Sequence, residues 1–213
     1  MHLIIQSEGS RAPLGRAVLA DTFPPGWTVE TPDVPCLFVV GDNGSGKSTL
    51  LECAKHQSTN KGADLGMKLN ARVPVRALFW FSDNNPIRHT HGHLDDMAQI
   101  AAMFQSHGQV QGAVMQQLPE VEGPGILFID EPESGLSLPN QINLAHWLET
   151  WVEAAADRMV VLATHSYLLI SRWGPGGTVL DLDARPAELV SLSSYRQRLR
   201  RLIRAKEGHW PPE

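Results

Sequence analysis

The chain has 213 residues, 42% of them hydrophobic, with two cysteines and a formal net charge of −5. That length can bury a core without disulfide staples, and the acidic balance argues against a surface that coats nucleic acid throughout. No stretch reaches the roughly 18 apolar residues of a membrane span, and the start lacks the basic residues and long apolar run of a leader, so a cytoplasmic chain is expected, meeting a membrane only through a partner.

Short apolar runs alternate with helical periodicities, the pattern of a sheet covered by helices. Strands are expected over Leu3–Gln6, Trp27–Thr31 and Cys36–Val40. Gly41-Asp-Asn-Gly-Ser-Gly-Lys47-Ser48 follows directly, and Lys47–His56 continues as a helix. Strand, glycine-rich turn and helix form a complete phosphate-binding loop. Gly41, Gly44 and Gly46 let backbone N–H groups curl around a phosphate, with Asn43, Ser45 and Thr49 part of the same cradle. Lys47 supplies a point charge to the terminal phosphates, and the Ser48 hydroxyl is a ligand for Mg²⁺. Cys36 and Cys53 flank the loop at no metal-ligand spacing and read as buried, reduced thiols.

A strand over Val75–Phe81 leads to His89-Thr-His91-Gly-His93-Leu-Asp95-Asp96, which is open to two readings, a transition-metal site or a polar surface loop. Helices are expected over Leu94–Gln105 and Gln109–Leu118. The next strand, Ile126–Ile129, ends in Asp130-Glu131-Pro132-Glu133. A parallel core delivers this end beside the phosphate loop, so Asp130 is expected to hold Mg²⁺, directly or through water, and Glu131 to polarise an attacking water, the other reading being that both acids only solvate the end of the strand.

In the helix over Asn140–Ala156, Ile142, Ala145, Leu148 and Val152 recur at three- and four-residue spacing and should face the sheet. The strand Met159–Ala163 ends in Thr164-His165-Ser166, where His165 is either a structural histidine or a contact to the γ-phosphate. A strand over Thr178–Leu182 and a helix over Ser191–Lys206 complete the chain. That helix carries Arg196, Arg198, Arg200, Arg201, Arg204 and Lys206, with Leu199, Leu202 and Ile203 as an apolar side. The stripe reads either as a solvated face suited to the helix dipole or as a contact for nucleic acid or an acidic partner.

Together these elements resemble the ATP-binding cassette superfamily, in particular stand-alone prokaryotic AAA or ABC-like ATPases. Gly41 to Ser48 corresponds to Walker A, Ile126 to Glu131 to Walker B with its catalytic glutamate, Glu133-Ser134-Gly135-Leu136 to the D-loop, and His165 to the switch histidine. The Asp-Glu-Pro-Glu-Ser-Gly-Leu string is similar to the chromosome-maintenance and recombination branch. Phe104-Gln105-Ser106-His107-Gly108-Gln109 is the counterpart of the family's signature motif, with Ser106, Gly108 and Gln109 as its anion-binding residues, or else a helix-capping serine.

The resemblance implies one domain over 1–213, an α/β P-loop NTPase of the ABC ATPase type. Its central sheet should be mostly parallel and flanked by helices, with an N-terminal antiparallel β part and a reduced helical lobe near 83–118. It implies a Mg²⁺-dependent ATPase with ATP as its nucleotide, Glu131, His165 and Lys47 catalytic, and a head-to-tail homodimer on ATP binding. Such a dimer would drive or gate a protein partner on another chain in a cytoplasmic complex, in defence or nucleic-acid transactions, and nucleic-acid binding stays open. The alternatives are the nucleotide-binding subunit of an ABC transporter and a slow nucleotide-gated sensor. The family's Q-loop glutamine is missing after the Val75–Phe81 strand, where Asp83 or Asn84 stands in its place.

Overall fold

The computed structural model describes residues 2–8, 21–59, 66–71, 75–80, 123–134 and 136–207. In chain order the elements are β1 (Leu3–Ser7), β2 (Thr28–Glu30), β3 (Cys36–Val40), α1 (Lys47–Thr59), β4 (Met67–Ala71), β5 (Val75–Trp80) and β6 (Gly125–Asp130). They are followed by α2 (Leu138–Glu153), β7 (Arg158–Ala163), α3 (Tyr167–Arg172), β8 (Thr178–Asp181), β9 (Glu188–Ser191) and α4 (Leu192–Glu207).

The continuous apolar runs of β3, β6 and β7 are what a parallel sheet covered on both faces requires. They form the centre of a six-stranded sheet in the order β5-β6-β7-β3-β8-β9. The first five strands run parallel, and β9 turns back antiparallel on β8. A second, three-stranded antiparallel sheet has the order β2-β1-β4. The expected α/β architecture, with a mostly parallel central sheet and an antiparallel β part, is thereby observed. The antiparallel part draws its third strand from beyond α1, because β4 pairs Ile5 with Leu69 and Leu3 with Ala71.

Side chains alternate between two cores, as the period of a strand demands. Phe38, Leu127, Ile129, Val160 and Leu162 pack with Leu144, Leu148 and Trp151 of α2 and with Trp173. Leu37, Val39, Ile126, Phe128 and Val161 face the other way, against Leu50 and Leu51 of α1 and against Leu3, Ile5 and Phe23. Phe38 and Trp173 meet edge to face at 5.7 Å. Both cysteines are buried free thiols, and burial, with Glu149 second, pushes the Cys36 thiol well up.

One sequence expectation is corrected. Ile142 does not face the sheet and is 39% exposed. The buried stripe of α2 is Leu144, Ala145, Leu148, Trp151 and Val152, whose centre lies about 120° round the helix from Ile142 at the α-helical repeat. Strands β4 and β9 and helix α3 were not anticipated, being short and largely polar or bounded by apolar runs. On α4, Leu199 packs against the core, but Leu202 is 52% and Ile203 39% exposed.

The basic stripe of α4 divides in two. Arg196 Nε donates to the Ile170 carbonyl at 2.8 Å and its guanidinium also reaches the Trp173 carbonyl, tying α4 to α3. Arg198 donates to Asp181 Oδ2 at 2.6 Å. Arg200, Arg201 and Arg204 are exposed. Among the described residues no helix is long and apolar enough to cross a membrane. The lobe expected over 83–118, with the helices Leu94–Gln105 and Gln109–Leu118, lies outside the described residues.

Candidate functional site

Register decides which residues meet. Across the sheet, Trp80 pairs with Asp130, Asp130 with Ala163, and Ala163 with Val39, so four neighbouring parallel strands reach the same edge together. The chain leaves that common edge as Glu131, Thr164 and, one residue past Val40, the glycine-rich loop.

The loop from Gly41 to Ser48 is closed by its own backbone. Ser45 N donates to the Asp42 carbonyl at 3.1 Å, and Leu50 N to the Gly46 carbonyl at 3.0 Å as α1 begins. Gly41 has φ +151° and Gly44 φ +83°, conformations that favour glycine. A Cβ on Gly41 would stand 2.5 Å from Ser45 Oγ. Lys47 is only 4% exposed, and its Nζ donates to the carbonyls of Gly41 at 2.9 Å and Asp42 at 3.2 Å. Burial lowers the Lys47 pKa, opposed by the carboxylates of Glu131, Asp130, Asp183 and Glu133. The ammonium therefore sits inside the loop with four acids in electrostatic reach. Ser45 Oγ is buried without a hydrogen-bond partner among the described residues, as befits a donor aimed at an anion. Ser48 is exposed at the start of α1, so its hydroxyl is accessible.

Asp130 is fully buried at the end of β6. Glu131 then takes φ 45°, a left-handed conformation that costs a non-glycine residue about 1–2 kcal/mol. It is held there by its N–H on the Ala163 carbonyl at 2.8 Å and by Ser134 N on its own carbonyl at 3.0 Å. The twist brings Glu131 Oε1 to 3.3 Å from His165 Nε2. Glu133 Oε1 accepts from His165 N at 2.6 Å, which fixes the backbone that carries the imidazole. Ser166 caps α3 through Leu169 N at 3.3 Å and donates to Gln141 Oε1 at 2.8 Å, anchoring the same turn to α2.

The structure thus brings Gly41 to Ser48, Asp130, Glu131 and His165 to one edge. Ser106, Gly108, Gln109, Asp83, Asn84 and the histidines His89, His91 and His93 lie outside the described residues, as does Gly135. The sequence reading missed Asp183. Its Oδ1 accepts from Asp42 N at 2.8 Å, and a cleft of about 140 Å³ beside it is lined by Asp42, His165, Tyr167 and Tyr195 among others. The available signal was position alone, since Asp183 follows the next parallel strand to reach this edge.

A hard, oxygen-preferring cation suits the hydroxyl of Ser48 and the carboxylate of Asp130, and Mg²⁺ needs only one or two protein ligands beside phosphate oxygens. Among the described residues no cluster of three or more His, Cys, Asp or Glu side chains forms a self-sufficient metal cage.

No protein-family model matches the chain. It is 27% identical to the hemin import ATP-binding protein HmuV of Rhodopseudomonas palustris (strain BisB18), over an alignment covering 76% of each protein. Its fold is similar to that of a protein described as a metal-chelate type ABC transporter in an inward-facing conformation, with a TM-score of 0.55, 17% identity and coverage of 79% of this chain and 76% of that one. It is also similar to a bacterial Atm1-family ABC exporter with ATP bound, with a TM-score of 0.59 and 16% identity. There 92% of this chain is matched, spanning 40% of the exporter chain. At these identities the solved structures establish a likeness of fold alone, an α/β architecture with a mostly parallel sheet flanked by helices.

Proposed function

We propose that this chain is the ATP-binding and ATP-hydrolysing subunit of an ABC-type transport system, acting from the cytoplasmic side on membrane-embedded partners carried by other chains. The hemin-import relative and the two transporter folds favour this alternative over a gate for a defence or nucleic-acid complex. The observation that carries the reading is the meeting of a closed phosphate loop, a buried Asp130 and the Glu131–His165 pair on one sheet edge.

Lys47, held by the carbonyls of Gly41 and Asp42, directs its third N–H donor at phosphate oxygens, and Ser45 Oγ and the loop N–H groups add hydrogen bonds to the same oxygens. Ser48 and Asp130 would hold Mg²⁺, which would supply positive charge beside the phosphates. Glu131 orients a water and accepts its proton at the carboxylate that now faces His165. His165 Nε2, which lies 3.3 Å from Glu131 Oε1 in this structure, turns its N–H to the γ-phosphate once nucleotide is bound. Ser106, Gly108 and Gln109 of a second copy complete the phosphate contacts in a head-to-tail dimer.

Phosphate release from ATP by the purified chain, with and without Mg²⁺, tests this. Lys47→Ala should lose nucleotide binding and hydrolysis together. Glu131→Gln should keep binding, lose about 10²- to 10⁴-fold in turnover, and sediment as an ATP-dependent dimer. A wild-type chain that binds no ATP overturns the proposal, and a Glu131→Gln variant that stays monomeric with ATP overturns the dimer.

A further inference from the structure

The peptide unit joining Gly41 to Asp42 carries two hydrogen bonds in opposite directions. Its carbonyl, on Gly41, accepts from Lys47 Nζ at 2.9 Å, and its N–H, on Asp42, donates to Asp183 Oδ1 at 2.8 Å. In a planar trans peptide the C=O and N–H point away from each other, so anchoring one aims the other. Asp183 is in turn fixed from behind. Its N–H donates to Asp181 Oδ1 at 3.1 Å, while Asp181 Oδ2 accepts from Arg198 of α4 at 2.6 Å. Asp181 is 1% exposed, and a buried carboxylate with both oxygens engaged is a rigid post.

We infer that Asp183 is a positioning residue for the phosphate loop. By holding Asp42 N–H it turns the Gly41 carbonyl towards Lys47, and the Arg198–Asp181 pair braces it from the C-terminal helix. Gly41 is the pivot of this plane, and its lack of a Cβ leaves rotation of the unit sterically open. Without the Asp183 anchor the plane is free to turn, and the Lys47 ammonium loses its fixed resting point above the loop. Asp183 is also among the carboxylates that favour the charged form of Lys47 against burial. Because Asp183 is exposed, its truncation leaves no buried cavity, which separates this role from packing.

The inference rests on the ATP-binding reading and is tested on the full chain by titration with a non-hydrolysable ATP analogue and Mg²⁺, by KM and kcat, and by thermal unfolding. Asp183→Ala should weaken analogue binding and raise KM about tenfold, the effect of losing one hydrogen bond to a charged acceptor. Its kcat and its Tm should stay near wild type. Asp183→Asn keeps an acceptor oxygen and should recover most of the loss. Arg198→Ala should shift binding in the same direction but less, being one step removed. Wild-type binding by Asp183→Ala, or an equal loss in Asp183→Asn, overturns the inference while leaving the ATP-binding reading intact. A wild-type chain that binds no analogue overturns both.

Discussion

Replacing Gly41 by alanine separates two demands that the phosphate loop makes on its backbone. A Cβ there would lie 2.5 Å from Ser45 Oγ, 3.0 Å from Ser45 Cβ and 3.1 Å from Leu182 Cβ. Neither neighbour can retreat easily, because Ser45 is buried in the loop and Leu182 in the core. Overpacking of this kind costs about 1–3 kcal/mol, and holding a substituted residue at φ +151° adds about 1–3 kcal/mol more. Gly44 isolates the second cost. Its φ is +83°, yet a Cβ on it meets nothing within 4 Å. Gly44→Ala should therefore show the backbone cost alone, and Gly41→Ala should exceed it by the steric share, about 5- to 150-fold in affinity if the loop absorbs the strain. Calorimetric titration with a non-hydrolysable ATP analogue, alongside urea unfolding, reads affinity and stability separately. If the two variants lose the same amounts in both measurements, the close approach of Ser45 to Gly41 is not a constraint on the loop.

Trp173→Ala empties a site filled by a buried ring that meets Phe38 edge to face, and should cost about 3–5 kcal/mol in urea unfolding. A cost below about 1 kcal/mol would show that this contact is not part of the core. Ile142→Glu should stay within about 0.5 kcal/mol of wild type while Leu148→Ala costs about 2–5 kcal/mol, and a loss in Ile142→Glu as large as in Leu148→Ala would put Ile142 on the buried face with it. Burial, with Asp181 second, pushes Tyr195 up from 10.0 to about 12. The unfolded phenol loses its proton first, so the folded state binds more protons in that interval and stability falls as pH climbs from about 10 towards 12. Denaturation midpoints across that range should decline less steeply in Tyr195→Phe, and identical slopes would contradict the buried phenol.

What the sequence made legible was whatever physics writes locally. The runs at Leu37-Phe-Val-Val40 and Ile126-Leu-Phe-Ile129 announce buried parallel strands because both faces need apolar side chains, and the loop between β3 and α1 must repeat glycine where the backbone turns. Strand β4 was illegible because Met67-Lys-Leu-Asn-Ala71 buries only its first residue fully. Helix α3 was missed because six residues show too little periodicity. On α2, Ala145, Leu148 and Val152 face the core as expected, and Ile142 alone was misplaced because it satisfies the spacing rule as well as Leu144 does, and only the position of the sheet distinguishes them. Asp183 was invisible for another reason. Its contact with Asp42 joins residues from opposite ends of the chain, and no short motif records which acid will lie beside which N–H.

The shared rung through Trp80, Asp130, Ala163 and Val39 has a consequence for how such a chain can vary. Strands β3, β6 and β7 carry the phosphate loop, Asp130 with Glu131, and His165 at the rung or just past it, so deleting one residue inside β6 would draw Glu131 back by about 3.3 Å and turn its side chain to the opposite face of the sheet. A deletion in a connection far from that edge changes neither quantity. Length is therefore free to drift in the segments between strands and forbidden within them. A library of insertions scanned along the gene should return survivors in clusters whose gaps mark the strands.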